Sequence, residues 1–493
     1  VSDQTPAVNW RGIASTATWN TGEYIYLARA QDDEANWSNV VSTNGTVIRF
    51  PRVAFHEYED RDFSIALYDT DTSEDILEPE VAWKPSEFNG TQNVFVIPRT
   101  NLLFLKGNGP DTEGLGVVVS GNSSPFKVID TRRRPASLGF LASEGGFTSL
   151  ILKAPIQGAD LNGFSVDESW TMPEDVDGDG NTSDPVSIYS GGDLKTLIGS
   201  DTISGDVVAA GSVTTTVLKA GDLEGDLRAE GALRTLVMPR GSIGGAVTAG
   251  NDVRTIVTHA VSGGGAVTAE SGGVRTLVCK GGDMAGDITA ANDIGTVVVP
   301  RGSLKGSVES VGGNVGTVVA GKGVGSLGAV RAASGQLRTL VASRGPLQGE
   351  LAADSIGTIV AKRGLNGASI TAETGEIRTL VAGGIEAAST ISAGSMGTLV
   401  ANGEVSDLTL NVTGAMRTLI LGGVTGSELQ VAELQTAVIK GPMDGSSLTS
   451  NTGDLRRVIV KGKMQNGSAL DASGELGLGL IKGDFSESRI EGA

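Results

Sequence analysis

From Gly192 onward, apolar and polar positions recur in one pattern about every 20 residues. Each repeat reads Gly-x-Leu-Arg/Gly-Thr-Leu-Val and, after a short gap, Gly-x-Leu-x-Gly-x-Val-x-Ala. The marker threonine returns at intervals of 18 to 22 residues, at Thr196, Thr215, Thr235, Thr255, Thr276, Thr296, Thr317, Thr339, Thr358, Thr379, Thr398, Thr418 and Thr436. A repeat of this length predicts a solenoid, in which each unit buries its apolar side against its neighbours.

One repeat, residues 231–250, shows how a unit folds. Leu233, Thr235 and Val237 alternate with Arg234 and Leu236 before a Pro-Arg-Gly turn. A second alternation follows, with one side formed by Ile243, Gly245, Val247 and Ala249. Period-2 patterning with glycine-marked corners predicts strand, turn and strand. We therefore expect a parallel β-helix that rises about 4.8 Å per coil, so that about 15 coils make a rod about 70 Å long.

The repeat also suggests the domain organisation. Residues 145–163 form an earlier coil with Ser149 in the threonine position, followed by an insertion over residues 164–189. We predict a head over residues 1–135, this first coil and its insertion over residues 136–190, and the main β-helix over residues 191–493.

The head contains short alternating runs that predict strands, at residues 23–28, 46–55, 63–68, 93–97, 102–106 and 115–120. Turn residues separate these runs, as in an antiparallel β-sandwich. The fold class is therefore all-β, a sandwich followed by a long β-helix. Of the 21 aromatic residues, 19 lie before residue 171. The Trp and Phe residues of the head are interpreted as the core of the sandwich or, alternatively, as a surface platform for sugar.

Charge is also unevenly distributed. The chain has a net charge of −19, of which −15 lies in residues 1–190 and −4 in the repeats. An acidic head argues against a nucleic-acid partner, which requires clustered Lys and Arg. No run of 18 apolar residues occurs, so we expect no membrane span. Because the chain begins at Val1, we expect a mature extracellular or cell-surface protein whose signal peptide has been removed.

The clearest local motif lies in the insertion. It places carboxylates at alternate positions before a glycine, which lets their oxygens converge on one hard cation. The motif resembles the calcium loops of EF-hands, dockerins and thrombospondin-type repeats, but Val186 stands where an EF-hand has its bidentate glutamate. The resemblance implies calcium bound by Asp175, Asp177, Asp179, Asn181 and Asp184. The alternative is a solvated acidic loop.

The repeats contain few candidates for catalysis. The two histidines, His56 and His259, lie in different predicted domains, and the short corners carry Gly, Ser and Ala. No acid/base pair can be nominated, and we expect no enzymatic activity. The single cysteine, Cys279, is interpreted as a small buried apolar residue. A row of Arg234, Arg254 and Arg275 is interpreted as a solvated face or, alternatively, as a site for anionic sugar.

Two adjacent aliphatic residues recur in almost every repeat. Strict alternation would expose one of each pair. Either a corner separates the two and both are buried, or an apolar strip lines the rod and marks a lateral contact. We predict the lateral contact, through Leu236, Ile256 and Leu277.

The short glycine-rich repeat of residues 191–493 resembles that of bacterial surface β-helices and bactofilins. The resemblance is clearest in the GDLEGDLRAEG run at residues 221–231. Bactofilins are cytoskeletal polymers whose β-helices stack end to end, so the resemblance implies self-assembly. The coils here are longer, and the acidic head has no counterpart in that pattern.

The final repeat, residues 474–485, keeps the pattern and ends on an isolated aromatic residue. Unpaired strand edges need a partner. We therefore predict head-to-tail contacts through Leu478, Leu480 and Phe485. The leading hypothesis is a secreted structural protein that polymerises into a filament, sheath or surface layer. The alternatives are an adhesin that presents a carbohydrate-binding head on a rod and, less favoured, a polysaccharide-degrading enzyme.

Overall fold

The computed structural model describes residues 139–153, 155–161, 175 and 185–492, together with seven strands between residues 55 and 130. Every regular element in these residues is a β-strand. The strands wind into a parallel solenoid of about 17 turns, with about 20 residues in each turn. The all-β class and the parallel β-helix are therefore confirmed.

The strands before the main repeats are β1 (Phe55–Glu57), β2 (Phe63–Tyr68), β3 (Ala82–Pro85), β4 (Asn93–Ile97), β5 (Leu102–Gly107), β6 (Gly116–Val119), β7 (Phe126–Asp130), β8 (Phe140–Ser143), β9 (Phe147–Leu152), β10 (Ala159–Asp160) and β11 (Pro185–Ser190). The next coils contain β12 (Leu194–Gly199), β13 (Asp206–Ala209), β14 (Val213–Leu218), β15 (Leu227–Ala229), β16 (Leu233–Ile243), β17 (Ala246–Ala249), β18 (Val253–Val261), β19 (Ala266–Ala269), β20 (Val274–Cys279), β21 (Asp287–Ala290), β22 (Ile294–Val299), β23 (Ser307–Ser310) and β24 (Val315–Ala320). The last coils contain β25 (Ala329–Ala342), β26 (Glu350–Ala361), β27 (Leu365–Asn366), β28 (Ser369–Ala382), β29 (Ile385–Glu386), β30 (Thr390–Ala401), β31 (Val405–Ser406), β32 (Thr409–Leu421), β33 (Val424–Thr425), β34 (Glu428–Ile439), β35 (Met443–Asp444), β36 (Ser447–Ser450), β37 (Leu455–Val460), β38 (Met464–Gln465), β39 (Ala469–Ala472), β40 (Leu476–Ile481) and β41 (Arg489–Gly492).

Each coil contributes to three faces. The threonine face contains β7, β9, β12, β14, β16, β18, β20, β22, β24, the second halves of β25, β26, β28, β30, β32 and β34, and then β37 and β40. The alanine face contains β6, β8, β11, β13, β15, β17, β19, β21, β23, the first halves of the same long strands, and then β36, β39 and β41. The short face consists of single parallel bridges and, later, a six-stranded sheet of β27, β29, β31, β33, β35 and β38.

The core is one column of apolar side chains that runs through the centre of the solenoid. On the threonine face of a typical coil, Leu233, Leu236 and Met238 are fully buried, whereas Arg234 and Thr235 both lie outside. Two successive outward residues break the strict alternation that we expected. On the other two faces Ile243, Val247 and Ala249 are buried as expected, whereas Gly245, which we placed on the same side, is half-buried.

Side-chain oxygens at the corners connect successive coils where the strands turn. Asp252 Oδ1 accepts a hydrogen bond from the amide of Gly273 at 2.9 Å, and Asp293 Oδ1 accepts one from Asn314 at 2.7 Å. At another corner, buried hydroxyls form a similar series from Ser427 to Ser446 to Ser468. The serine hydroxyls satisfy buried amides that would otherwise cost free energy, and the aspartates link the exposed corners of successive coils.

Parallel pairing extends toward the N-terminus beyond the predicted start of the β-helix. β4 pairs in parallel with β6 and β6 with β8, while β5 pairs with β7 and β7 with β9. Antiparallel pairs join β1 to β2, β2 to β5 and β3 to β4. Solenoid stacking therefore crosses the boundary that we placed near residue 135. The rest of the predicted sandwich lies outside the described residues.

The predicted first coil is present, but the insertion is shorter at its C-terminal end than expected. Pro185–Ser190 forms β11, which pairs in parallel with β8 and β13 and so belongs to the alanine face. β10 pairs antiparallel with the start of β11. A satellite cluster packs around Phe140, Leu161 and Tyr189 on this outer side of the face.

One core position holds a polar residue and provides a test of the inward register. Thr216 occupies the position of Leu236 one coil earlier, and its buried Oγ1 has no hydrogen-bond partner. Because an unsatisfied buried hydroxyl costs free energy, Thr216→Val should raise the free energy of unfolding by about 1–2 kcal/mol. Urea unfolding will measure this. The matched control, Thr215→Val at an outward position, should change the free energy of unfolding little. Equal changes for the two variants would contradict the assignment of Thr216 as inward and Thr215 as outward.

Candidate interaction surface

The threonine face presents its marker threonines on its outer side as one unbroken column. From Thr196 to Thr436 they pair in register across successive coils, and all of them are half-buried. The marker threonines therefore form a ladder of hydroxyls. Because the side chains point outward, the ladder forms part of the molecular surface.

A second outward column lies two residues after each threonine and is valine or isoleucine in sixteen successive coils. We call this column, with its last residue, the aliphatic strip: Ile129, Ile151, Ile198, Val217, Val237, Val257, Val278, Val298, Val319, Val341, Val360, Val381, Val400, Ile420, Val438, Ile459 and Leu480. From Ile129 to Val438 its members are half-buried. The threonine face thus carries parallel columns of hydroxyls and of branched aliphatic groups.

The residues that we predicted for a lateral contact are not part of this surface. Leu236, Ile256 and Leu277 are fully buried in the core, so the prediction is wrong for them. The outward member of each pair is the second residue, as in Val237 and Val278. The residue types could have identified the outward member of each pair. The outward position is β-branched in every coil up to Ile459, and β-branched residues are favoured on the exposed surface of a strand.

Arginines form a column at one edge of the same face. Arg234, Arg254 and Arg275 are exposed on successive coils. Later coils continue the column with Arg338, Arg378, Arg417 and Arg456. Among the described residues only Arg456 of this column forms an ion pair, with Glu433 at 2.7 Å. Asp252 and Asp293 direct an oxygen to the backbone of the next coil, so this edge carries unpaired positive charge.

The predicted calcium loop is largely outside the described residues. Asp177, Asp179, Asn181 and Asp184 all lie there, and Asp175 alone is described. Within the described part of the chain, no group of three or more His, Cys, Asp or Glu is arranged to hold a metal ion. Calcium at residues 175–184 stays a prediction.

Two residues considered for chemistry have different surroundings. Cys279 is fully buried in the core, and burial raises the pKa of its thiol to about 12. Since a thiolate is the reactive form of cysteine, this side chain is unreactive at neutral pH, in keeping with the interpretation as an apolar core residue. His259 is exposed at the corner that follows the aliphatic strip.

The predicted end-contact residues lie on the last described coil. Leu478 and Leu480 are 50% and 40% exposed and continue the threonine column and the aliphatic strip. Phe485 is 49% exposed and pairs with Met464 on the short face, so its side chain continues the core column. All three are therefore accessible in the single chain, and their contact with a neighbour stays a prediction.

The described residues contain no helix of the length and apolar character that a membrane crossing requires. Comparison of the chain with protein-family models, with curated proteins and with solved structures gives no match. The resemblance to bactofilins is therefore limited to the phrasing of the repeat, and what the molecule does must be inferred from the surfaces of its solenoid.

Proposed function

We propose that the chain is a secreted, non-enzymatic structural protein whose solenoids associate side by side through the threonine face, and so build an extracellular filament, sheath or surface layer. The observation that carries this proposal is the aliphatic strip, which stays in register and half-exposed from Ile129 to Val438. A second copy of the chain is the occupant that this surface fits best.

The area of the surface supports a contact between two copies. Seventeen coils at a rise of about 4.8 Å give a strip about 75 Å long. Together the threonine and aliphatic columns are about 10 Å wide, so the face offers about 750 Å² per copy. Standard protein interfaces bury about 800 Å² per partner. The strip alone is therefore close to the size that a stable dimer needs.

The side chains of the face are also suited to a contact between copies. Threonine, valine and isoleucine are stiff at χ1, so they lose little rotamer entropy when a partner covers them. The arginine column lies beside the threonines and would occupy the solvated rim. Because both copies carry this positive column, they repel at low ionic strength. Association should therefore strengthen as salt screens the charges.

The remaining parts of the proposal concern the ends and the insertion. Contacts of Phe485, Leu478 and Leu480 with a neighbouring molecule would join rods end to end, and calcium at residues 175–184 would order the insertion. The alternative, an adhesin with a carbohydrate-binding head, depends on residues outside the described part of the chain. The aliphatic strip favours self-association over that alternative because an isolated rod would leave a continuous apolar column exposed to water, whereas a second copy would cover it.

The test replaces the centre of the strip. A triple variant, Val278→Lys, Val298→Lys and Val319→Lys, places three charges on successive coils of the threonine face. We expect sedimentation velocity and electron microscopy of the full chain to show assemblies for the original protein and monomers for this variant, because lysine cannot be buried unpaired between two copies.

The matched control carries the same substitutions on the alanine face, at Thr248, Thr268 and Thr289, which are also half-buried on successive coils. This control should assemble like the original chain. A monomeric original chain at high concentration and high salt would refute the proposal, as would normal assembly of the strip variant.

A further inference from the structure

A second series of basic residues lies on the corner between the threonine face and the short face. In eight successive coils, one of the two residues that follow the last inward residue of the threonine face is Lys, Arg or His, and in the last of these coils both are basic. All of these residues are exposed. We call them the basic ridge: Lys219, Arg240, His259, Lys280, Arg301, Lys322, Arg344, Lys362 and Arg363.

Backbone hydrogen bonds between coils hold the ridge in line. The amide of Lys280 donates to the carbonyl of Thr258 at 2.8 Å, and the amide of Lys322 donates to the carbonyl of Gly302 at 2.8 Å. Further along, the Arg344 guanidinium donates to the carbonyl of Pro300, two coils back, and so lies along the ridge. At a rise of about 4.8 Å per coil, eight coils place these basic residues along about 34 Å.

These charges are not neutralised by the protein itself. None of the Lys and Arg residues of the ridge forms an ion pair with a described residue, although ion pairs occur elsewhere on the solenoid. The nearby carboxylate of Asp283 is engaged by Lys305 at 2.6 Å and by the amide of Ser303 at 2.8 Å. These contacts, with Lys322 contributing at longer range, lower the pKa of Asp283. The ridge therefore keeps its positive charge although the chain as a whole is at −19.

The spacing and surroundings of the ridge indicate what binds it. Like charges about 4.8 Å apart repel one another, and a linear polymer with one negative charge per monomer would neutralise them coil by coil. Single-stranded nucleic acid normally also requires aromatic side chains on which its bases stack. No aromatic residue occurs between Tyr189 and Phe485. The ridge therefore offers charge without a stacking platform.

We propose that the basic ridge binds a linear acidic polysaccharide with a carboxylate or sulfate on each sugar. This site is separate from the aliphatic strip and does not depend on self-association. Binding here is ionic and should weaken with added salt, whereas association through the threonine face should strengthen. The two proposals can therefore fail independently.

The test is a titration of the full-length chain with polygalacturonate, with dextran as the neutral polymer. We expect binding of polygalacturonate at low salt and none of dextran. A triple variant, Lys280→Glu, Arg301→Glu and Lys322→Glu, should raise the dissociation constant at least about tenfold. It should also reduce the slope of log affinity against log salt by about 2, because three fewer cations release counterions.

The matched control reverses three exposed arginines of the other column, at Arg338, Arg378 and Arg417, and should bind within about threefold of the original chain. Circular dichroism will check that both variants fold. Equal losses in both variants would show non-specific charge attraction and overturn the assignment to the ridge. Undiminished binding by the ridge variant would also overturn it, as would tighter binding of a duplex or single-stranded DNA oligonucleotide than of polygalacturonate.

Discussion

Leu277→Ala should lower the free energy of unfolding by about 3–4 kcal/mol, while Val278→Ala in the same strand should lower it by about 1 kcal/mol or less. Leu277 is fully buried between Ile256 and Val297 of the neighbouring coils, so truncation leaves a cavity that stacked coils cannot easily close. Val278 is half-buried on the outer side, and its truncation leaves no cavity.

Urea unfolding of the two variants, followed by circular dichroism, will measure the difference. The two residues are adjacent, both aliphatic and part of one strand, so the comparison isolates the effect of inward against outward orientation. A loss at Val278 equal to that at Leu277 would mean that both residues are buried, as in the alternative with a corner between them. That result would contradict the proposed lateral contact through the threonine face.

Gly241→Ala should destabilise the solenoid by about 2–3 kcal/mol because neighbouring coils approach closely at its corner. A Cβ atom at residue 241 would lie 1.9 Å from the carbonyl oxygen of Gly221 in the preceding coil. That oxygen belongs to the backbone and cannot rotate away, so the coils would have to separate. Separation would weaken the inter-coil hydrogen bonds nearby, including Leu223 N to Ser242 O at 3.1 Å.

Gly263→Ala is the matched control. A Cβ atom at residue 263 would meet no atom within 4 Å, so this change should alter the free energy of unfolding by less than about 0.5 kcal/mol. Thermal melts and urea unfolding of both variants provide the measurement. Equal stability of the two variants would show that close coil contact at the corner does not limit the residue there.

The agreement between prediction and structure depends on how local each signal is. The period of the repeat is a property of the sequence itself, and it predicted parallel coils that pair threonine with threonine from Thr196 to Thr436. The inward side of the alanine face was also predicted, because Val247 and Ala249 alternate without interruption. On the threonine face, Arg234 and Thr235 both lie outside, and this one irregularity moved the predicted surface onto Leu236.

The N-terminal boundary shows a different limit. An alternating strand has the same sequence pattern in a parallel and in an antiparallel pair, so residues 93–107 matched a sandwich as well as a coil. Their parallel pairing with β6 and β7 is decided by contacts between distant segments. The same holds for Pro185–Ser190, which returns to the alanine face after the insertion.

By itself, the sequence determined the β-helix, the length of a coil and the continuity of the threonine column, because each repeat has the same local pattern of apolar, polar and glycine positions. Only the tertiary structure decided which aliphatic residue faces outward and which cations share a corner. The cations of the basic ridge occupy two different positions in the repeat, as Lys280 and Arg301 do, and so form no motif. They form one line only when the coils stack, because stacking turns a separation of about 20 residues along the chain into a separation of about 4.8 Å in space.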